Sequence, residues 1–163
     1  MEQTVATREP KALACYGLLA RSWEAPEDDP NEALWLRFVD GRPLSAVTTP
    51  FLAWCCERLA ATGKTALLLV WDNASWHISR AVEQWIAGHN RAVKATGAGV
   101  RIVACLLPVK SPWLNLIEPK WVHGKQRVVE PARLLTAAEV ETRVYSALHA
   151  DPADHLSMPK EAA

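Results

Sequence analysis

The chain has no net charge: eighteen Lys and Arg stand against eighteen Asp and Glu. A balance of this kind projects no global field, so attraction to a polyanion has to come from local charge. No apolar run approaches the ~20 residues needed to cross a bilayer, and no leader-like segment opens the chain. Both absences point to a soluble, cytoplasmic protein with no membrane partner. The four cysteines, Cys15, Cys55, Cys56 and Cys105, form no CxxC pair, and adjacent Cys55 and Cys56 cannot easily serve one ligand geometry. That excludes the usual zinc patterns and leaves buried free thiols in a reducing compartment.

What is present is one core's worth of apolar sequence, half of 163 residues. Residues 12–20 make an apolar run of strand length, and 33–39 alternate with period two; the loop between them, RSWEAPEDDPNE, is rich in proline and acid. A turn at Asp40-Gly41 leads to a helix over 50–61, opened by Pro50 and stopped before Gly63. Residues 65–71 (TALLLVW) are apolar on both faces, as a central parallel strand should be. A helix over 79–94 ends at Thr96-Gly97, 100–107 form a second buried strand, and prolines 108 and 112 break the chain. A helix over 116–126 carries Glu118 in its first turn, and an amphipathic helix over 137–150 follows. This order is α/β. Residues 1–10 and 151–163 read as disordered tails around a single domain at 11–150.

The chemistry concentrates at two acids, Asp72 in TALLLVWDNASWH and Glu118 in IVACLLPVKSPWLNLIEPKW, each placed after a hydrophobic strand. Carboxylates held at strand ends point into the crevice where α/β folds bind ligands, and they suit Mg²⁺ or Mn²⁺. Two such ions ~4 Å apart serve phosphodiester chemistry. From residue 101 to 133 there are six basic residues and only two acidic ones, so this segment is locally basic. Lys110, Lys120 and Lys125 are placed to neutralise DNA phosphates, Trp113 to stack on an unpaired base, and His77 to contact a phosphate or support Asp72. Each has a plainer reading: Asp72 as a turn residue, Glu118 reaching back to an Asn115 helix cap, the tryptophans as packing groups, the lysines as a solvated face.

Two motifs together go further. The runs LLLVWDNASWH and LLPVKSPWLNLIEPKWVHGK resemble the mariner-like bacterial insertion-sequence transposases, Asp-Asp-Glu endonucleases with a ribonuclease-H-like core. The family pattern Asp-Asn-Ala-x-x-His falls on Asp72, Asn73, Ala74 and His77. Its later block falls on Leu107, Pro108, Ser111, Pro112, Leu114, Asn115, Glu118 and Trp121. The resemblance spans about 12–150 and implies a mixed sheet flanked by helices, with Asp72 the second and Glu118 the third metal-binding catalytic carboxylate. It also implies Mg²⁺ or Mn²⁺ as cofactor, and transposon and target DNA as partners of the intact parent.

Two departures qualify it. Leu116 stands where the family usually has Pro, and Pro119 follows Glu118, which predicts a small change in the first helical turn. No residue matches the family's first catalytic Asp or the strand that carries it, nor the helix-turn-helix that grips transposon ends. The expectation is therefore a transposase catalytic-domain fragment from a decayed or frame-shifted gene, lacking its first, central strand and inactive alone. The alternative is a non-catalytic remnant that binds DNA, forms a homodimer or pairs with intact transposase. An unrelated metal-dependent phosphohydrolase would leave the second motif unexplained.

Overall fold

Two apolar runs of strand length open the fold. The structure, a computed structural model, describes residues 10–24, 28 and 31–160. The expected amino-terminal tail, Pro10 apart, lies outside them, as do parts of the acidic loop and the last three residues. β1 (Ala14–Ala20) and β2 (Ala33–Val39) pair antiparallel, with Ala14 opposite Val39 and Ala20 opposite Ala33. Because side chains alternate across a strand, Tyr16 and Val39 enter one core cluster while Leu36 and Phe38 enter another on the opposite face.

The helix α1 (Ser45–Ala61) corrects the expectation of a start at Pro50, which lies inside it. The earlier turn forms because Val47 and Thr48 bury there, at 0 % and 2 % exposure. The residue before it, Leu44, is anchored from outside the segment: its N–H donates to the Tyr16 hydroxyl at 2.9 Å, and that hydroxyl donates to the Leu44 carbonyl at 3.0 Å. A partner 28 residues away leaves no local signature.

β3 (Ala66–Trp71) and β4 (Arg101–Leu106) form a parallel pair, bridged by α2 (Arg80–Thr96). Ser79 caps α2 by accepting from the Val82 N–H, and Gly97 ends it at φ 67°, in the left-handed region open to glycine. Leu52, Cys56, Leu69, Trp71, Val82, Val100 and Ile102 close the core between this pair and the helices. β3 is not buried on both faces as expected, since Leu68 is 61 % and Val70 44 % exposed.

The mixed sheet, expected to lack its central strand, is here two sheets of two strands, β1-β2 and β3-β4. Among the described residues no ladder joins the two sheets. They share a core instead of hydrogen bonds, with Leu18 of β1 packed on the cluster that contains Leu69. Lys64, just before β3, donates to Ser22 Oγ just after β1, at 3.3 Å.

The outer edges of both sheets are covered. Asn90 of α2 donates to the Ile102 carbonyl and accepts from its N–H, both at 2.8 Å, imitating a neighbouring strand. On β2, the Phe38 carbonyl accepts from the Leu156 N–H at 2.7 Å and the Leu36 carbonyl from the Tyr145 hydroxyl. Residues 151–160, expected as loose tail, therefore lie against the sheet without forming helix or strand. Leu156 is 4 % exposed, Arg37 donates to the carbonyls of Asp154 and His155, and the His155 ring bridges Asp40 and Glu141.

The last two helices cover the other face of β1-β2. α3 (Glu118–Val128) begins two residues later than predicted, with Pro119 in its first turn, and α4 (Ala137–Leu148) opens on a Thr136–Glu139 capping box. Trp121 of α3 lies so close to Gly17 that a Cβ there would meet its ring at 2.6 Å. Only glycine leaves room for the indole.

Candidate functional site

The strand pair β3-β4 positions Asp72 and the root of the loop that leads to Glu118. Parallel pairing brings the carboxyl ends of the two strands to one edge of the sheet, with Trp71 opposite Leu106. Just beyond, the Leu107 N–H donates to the Trp71 carbonyl at 2.9 Å and Asn73 Nδ2 donates to the Leu107 carbonyl at 2.7 Å. The two loops that carry the motifs are thus tied to each other at their roots.

The first loop is a tight turn organised by Asp72. Its Oδ1 accepts from the Ala74 N–H at 3.0 Å, and the His77 and Ile78 N–H groups both donate to the Ala74 carbonyl. His77 returns to the same oxygen, with Nδ1 2.7 Å from Asp72 Oδ1. The imidazole lies flat on Trp71, centroids 4.9 Å apart and planes 12° apart, with Trp76 against its edge. Thus His77, read from sequence as a nucleic-acid contact, is placed against Asp72. Five residues separate the two, but the turn that joins them depends on Ala74, and alternation of apolar residues carries no trace of it. The indole Nε1 of Trp71 is buried with no partner among the described residues.

The second loop is irregular. Lys110 takes a left-handed backbone, φ 61°, and a single 3₁₀ turn spans Pro112–Leu114. Glu118 is the first residue of α3. The helix is capped by Ile117 without a side-chain bond, and the Glu118 N–H donates to the Asn115 backbone carbonyl, so the Asn115 capping box is not formed. The Glu118 side chain lines a shallow hollow with Pro112, Trp113, Pro119, Val122, His123 and Gln126. Trp113 is 74 % exposed at its rim.

The three predicted lysines differ. Lys120 lies 3.4 Å from Glu32, which Arg21 also holds, while Lys110 and Lys125 are exposed and make no ion pair among the described residues. The Arg21 hydrogen bond, with Lys120 beside it, keeps the Glu32 carboxyl below its ordinary range.

For a divalent cation the donor set is incomplete. Asp72 has one oxygen engaged and the other without a recorded partner, but among the described residues no group of three or more His, Cys, Asp or Glu comes together as a metal site. No helix among these residues is long and apolar enough to cross a membrane.

Residues 30–141 match the family model described as DDE superfamily endonuclease. No curated protein and no solved structure matches the chain.

Proposed function

The chain belongs to the DDE superfamily endonucleases, and on that premise we propose that Asp72 and Glu118 are two of the acids of a transposase-type DNA-cutting site. The observation that carries this reading is the joining of the two motif loops at one sheet edge, through Asn73 and Leu107. Asp72 and Glu118 are the residues that would hold Mg²⁺ or Mn²⁺. Two acids leave such an ion under-coordinated, so no reaction step is assigned to the described residues alone. In the proposed role Asp72 presents its free oxygen, held in direction by His77 and the Ala74 N–H, while Lys110, Lys125 and Trp113 contact DNA. Lys120, bound to Glu32, joins them only where phosphate displaces that partner.

The reading is of a mariner-like insertion-sequence transposase domain in which no described residue is assigned the part of the family's first acid. It cuts and joins transposon DNA as part of the intact parent and is inactive alone. The incomplete donor set also favours a second reading, a non-catalytic remnant that binds DNA or pairs with intact transposase. An upstream, out-of-phase reading frame encoding a helix-turn-helix and a strand ending in Asp separates the first reading from the second.

The test is direct. Purified protein with supercoiled plasmid and Mg²⁺ or Mn²⁺ should show no nicking, and its DNA binding should be weak, indifferent to sequence and steeply salt-dependent. Lys110→Ala and Lys125→Ala should each reduce the salt slope by about one. Robust nicking lost in Asp72→Ala would overturn the claim of inactivity, and tight binding to one sequence would overturn the claim of weak, sequence-indifferent contact.

A further inference from the structure

One carboxylate of this structure is shared by two cations from different elements. Arg21 and Glu32 stand one step beyond Ala20 and Ala33, the last pair of the β1-β2 ladder, so the antiparallel register sets them opposite each other. Arg21 Nε donates to Glu32 Oε1 at 2.6 Å, and Nη2 contacts the same oxygen. Lys120, in the first turn of α3, reaches the other oxygen, Oε2, at 3.4 Å. Two positive charges meet one negative charge, so the triad keeps a net charge of plus one. Lys64 is treated in the same way nearby, donating to Ser22 and to Glu24, each at 3.3 Å. The segment that follows β1 thus brings its acids to the cations at this end of the molecule.

The triad adds little hold. Partly exposed ion pairs contribute weakly to stability, and α3 is already seated by Trp121 over Gly17 and by Gly124 against Leu148. As a receptor it is better suited. The side chains of Arg21 and Lys120 are 49 % and 46 % exposed, so an incoming anion can reach both, while Glu32 is 21 % exposed between them. Without an anion at that point the two cations would repel each other. The carboxylate offers each cation one of two oxygens that share a single charge. The phosphodiester of a nucleic-acid backbone presents the same pattern, and the arginine fork binds either group. The amino end of α3 adds positive potential beside Lys120.

We propose that Arg21 and Lys120 form a subsite for one backbone phosphate of DNA, and that Glu32 fills it as an internal stand-in until DNA displaces it. The subsite rests on the reading of this chain as a DNA-cutting domain, and it adds to that reading a residue that holds DNA affinity down. Residues two apart on a helix do not face each other, so Lys120 turns to Glu32 while Glu118 lines the hollow beside Trp113. A phosphate held by Arg21 and Lys120 therefore sets the position of the duplex and stays clear of the acids.

Binding of the full chain to a short labelled duplex, followed by fluorescence anisotropy across a range of NaCl concentrations, tests it. Glu32→Gln should bind at least about threefold more tightly at low salt and steepen the salt slope by about one, the contribution of one added phosphate. Glu57→Gln alters the net charge equally, at an exposed residue of α1 with no ion pair among the described residues, and should leave the slope as it is. Adding Arg21→Ala or Lys120→Ala to Glu32→Gln should return the slope to the wild-type value. If Glu32→Gln does not fold, the unmodified protein decides. Its Arg21 Nε–H resonance should shift when the duplex is added at low salt and return at high salt, and an unmoved resonance overturns the subsite. A slope that falls in Lys110→Ala but is unchanged in Glu32→Gln overturns the subsite and leaves the DNA reading standing. An equal gain in Glu57→Gln reduces the effect to net charge and also overturns it. No binding by any of these proteins at low salt overturns both.

Discussion

His77 Nδ1 lies 2.7 Å from Asp72 Oδ1, and the ring that makes this bond is stacked on Trp71, the residue preceding the aspartate. A side chain held on two sides in this way fixes the direction of the carboxylate. His77→Ala should destabilise the protein by about 1–2 kcal/mol, for one charge-assisted bond and one stacked contact. His77→Asn, which keeps a donor, should recover part of the loss. Urea denaturation measures both, and an unchanged salt slope for DNA would separate this role from a phosphate contact.

Asn90 closes the outer edge of β4 with a two-way bond to Ile102, itself 2 % exposed. Asn90→Ala leaves a buried N–H and carbonyl unpaired and should cost about 2–3 kcal/mol. The opened edge should also promote self-association, visible as concentration-dependent light scattering. A variant as stable and as monomeric as the parent would show that the edge is protected by something else.

The clasp formed by His155 is pH-dependent. Burial alone would hold its pKa down, but the bond to Glu141 and the charges of Glu141 and Asp40 outweigh it, and the net shift is upward. A raised value in the folded state gives stability that is fully present below the unfolded pKa of about 6.5 and lost as pH rises through the folded one. The gap in denaturation midpoint between wild type and His155→Ala should therefore be larger at about pH 5.5 than at about pH 8.5. Glu141→Gln should flatten that dependence, and an equal gap at both pH values would remove the imidazolium from the clasp.

Thiol chemistry should single out one cysteine. Burial pushes Cys15 up to about 12 and Cys56 up to about 11, and raises Cys55 as well, whereas Cys105 is exposed. Iodoacetamide at about pH 8 should alkylate Cys105 and leave the others until the protein is denatured, as intact mass before and after urea would show.

Much of this architecture is written locally. The alternation of ALWLRFV, the apolar run before Asp72 and the Gly97 stop each encode their element in a few adjacent residues. What the sequence hides is carried by distant partners. The start of α1 depends on the hydroxyl of Tyr16, and the order of residues 151–160 depends on Arg37 and Phe38, more than a hundred positions away. At the site, the two acids stand out by their place after apolar strands. The grip of His77 on Asp72 and of Glu32 on Lys120 is decided by turns and by a strand end that no spacing rule reaches.

The bare carbon of Gly17 has a mechanical meaning. With no clearance beneath the Trp121 ring, α3 is keyed to β1, and Glu118 stands one turn earlier on that helix. Asp72 is rooted in the second sheet. The span between the two carboxylates is therefore set by how the two sheets pack on each other, through the core that Leu18 shares with Leu69.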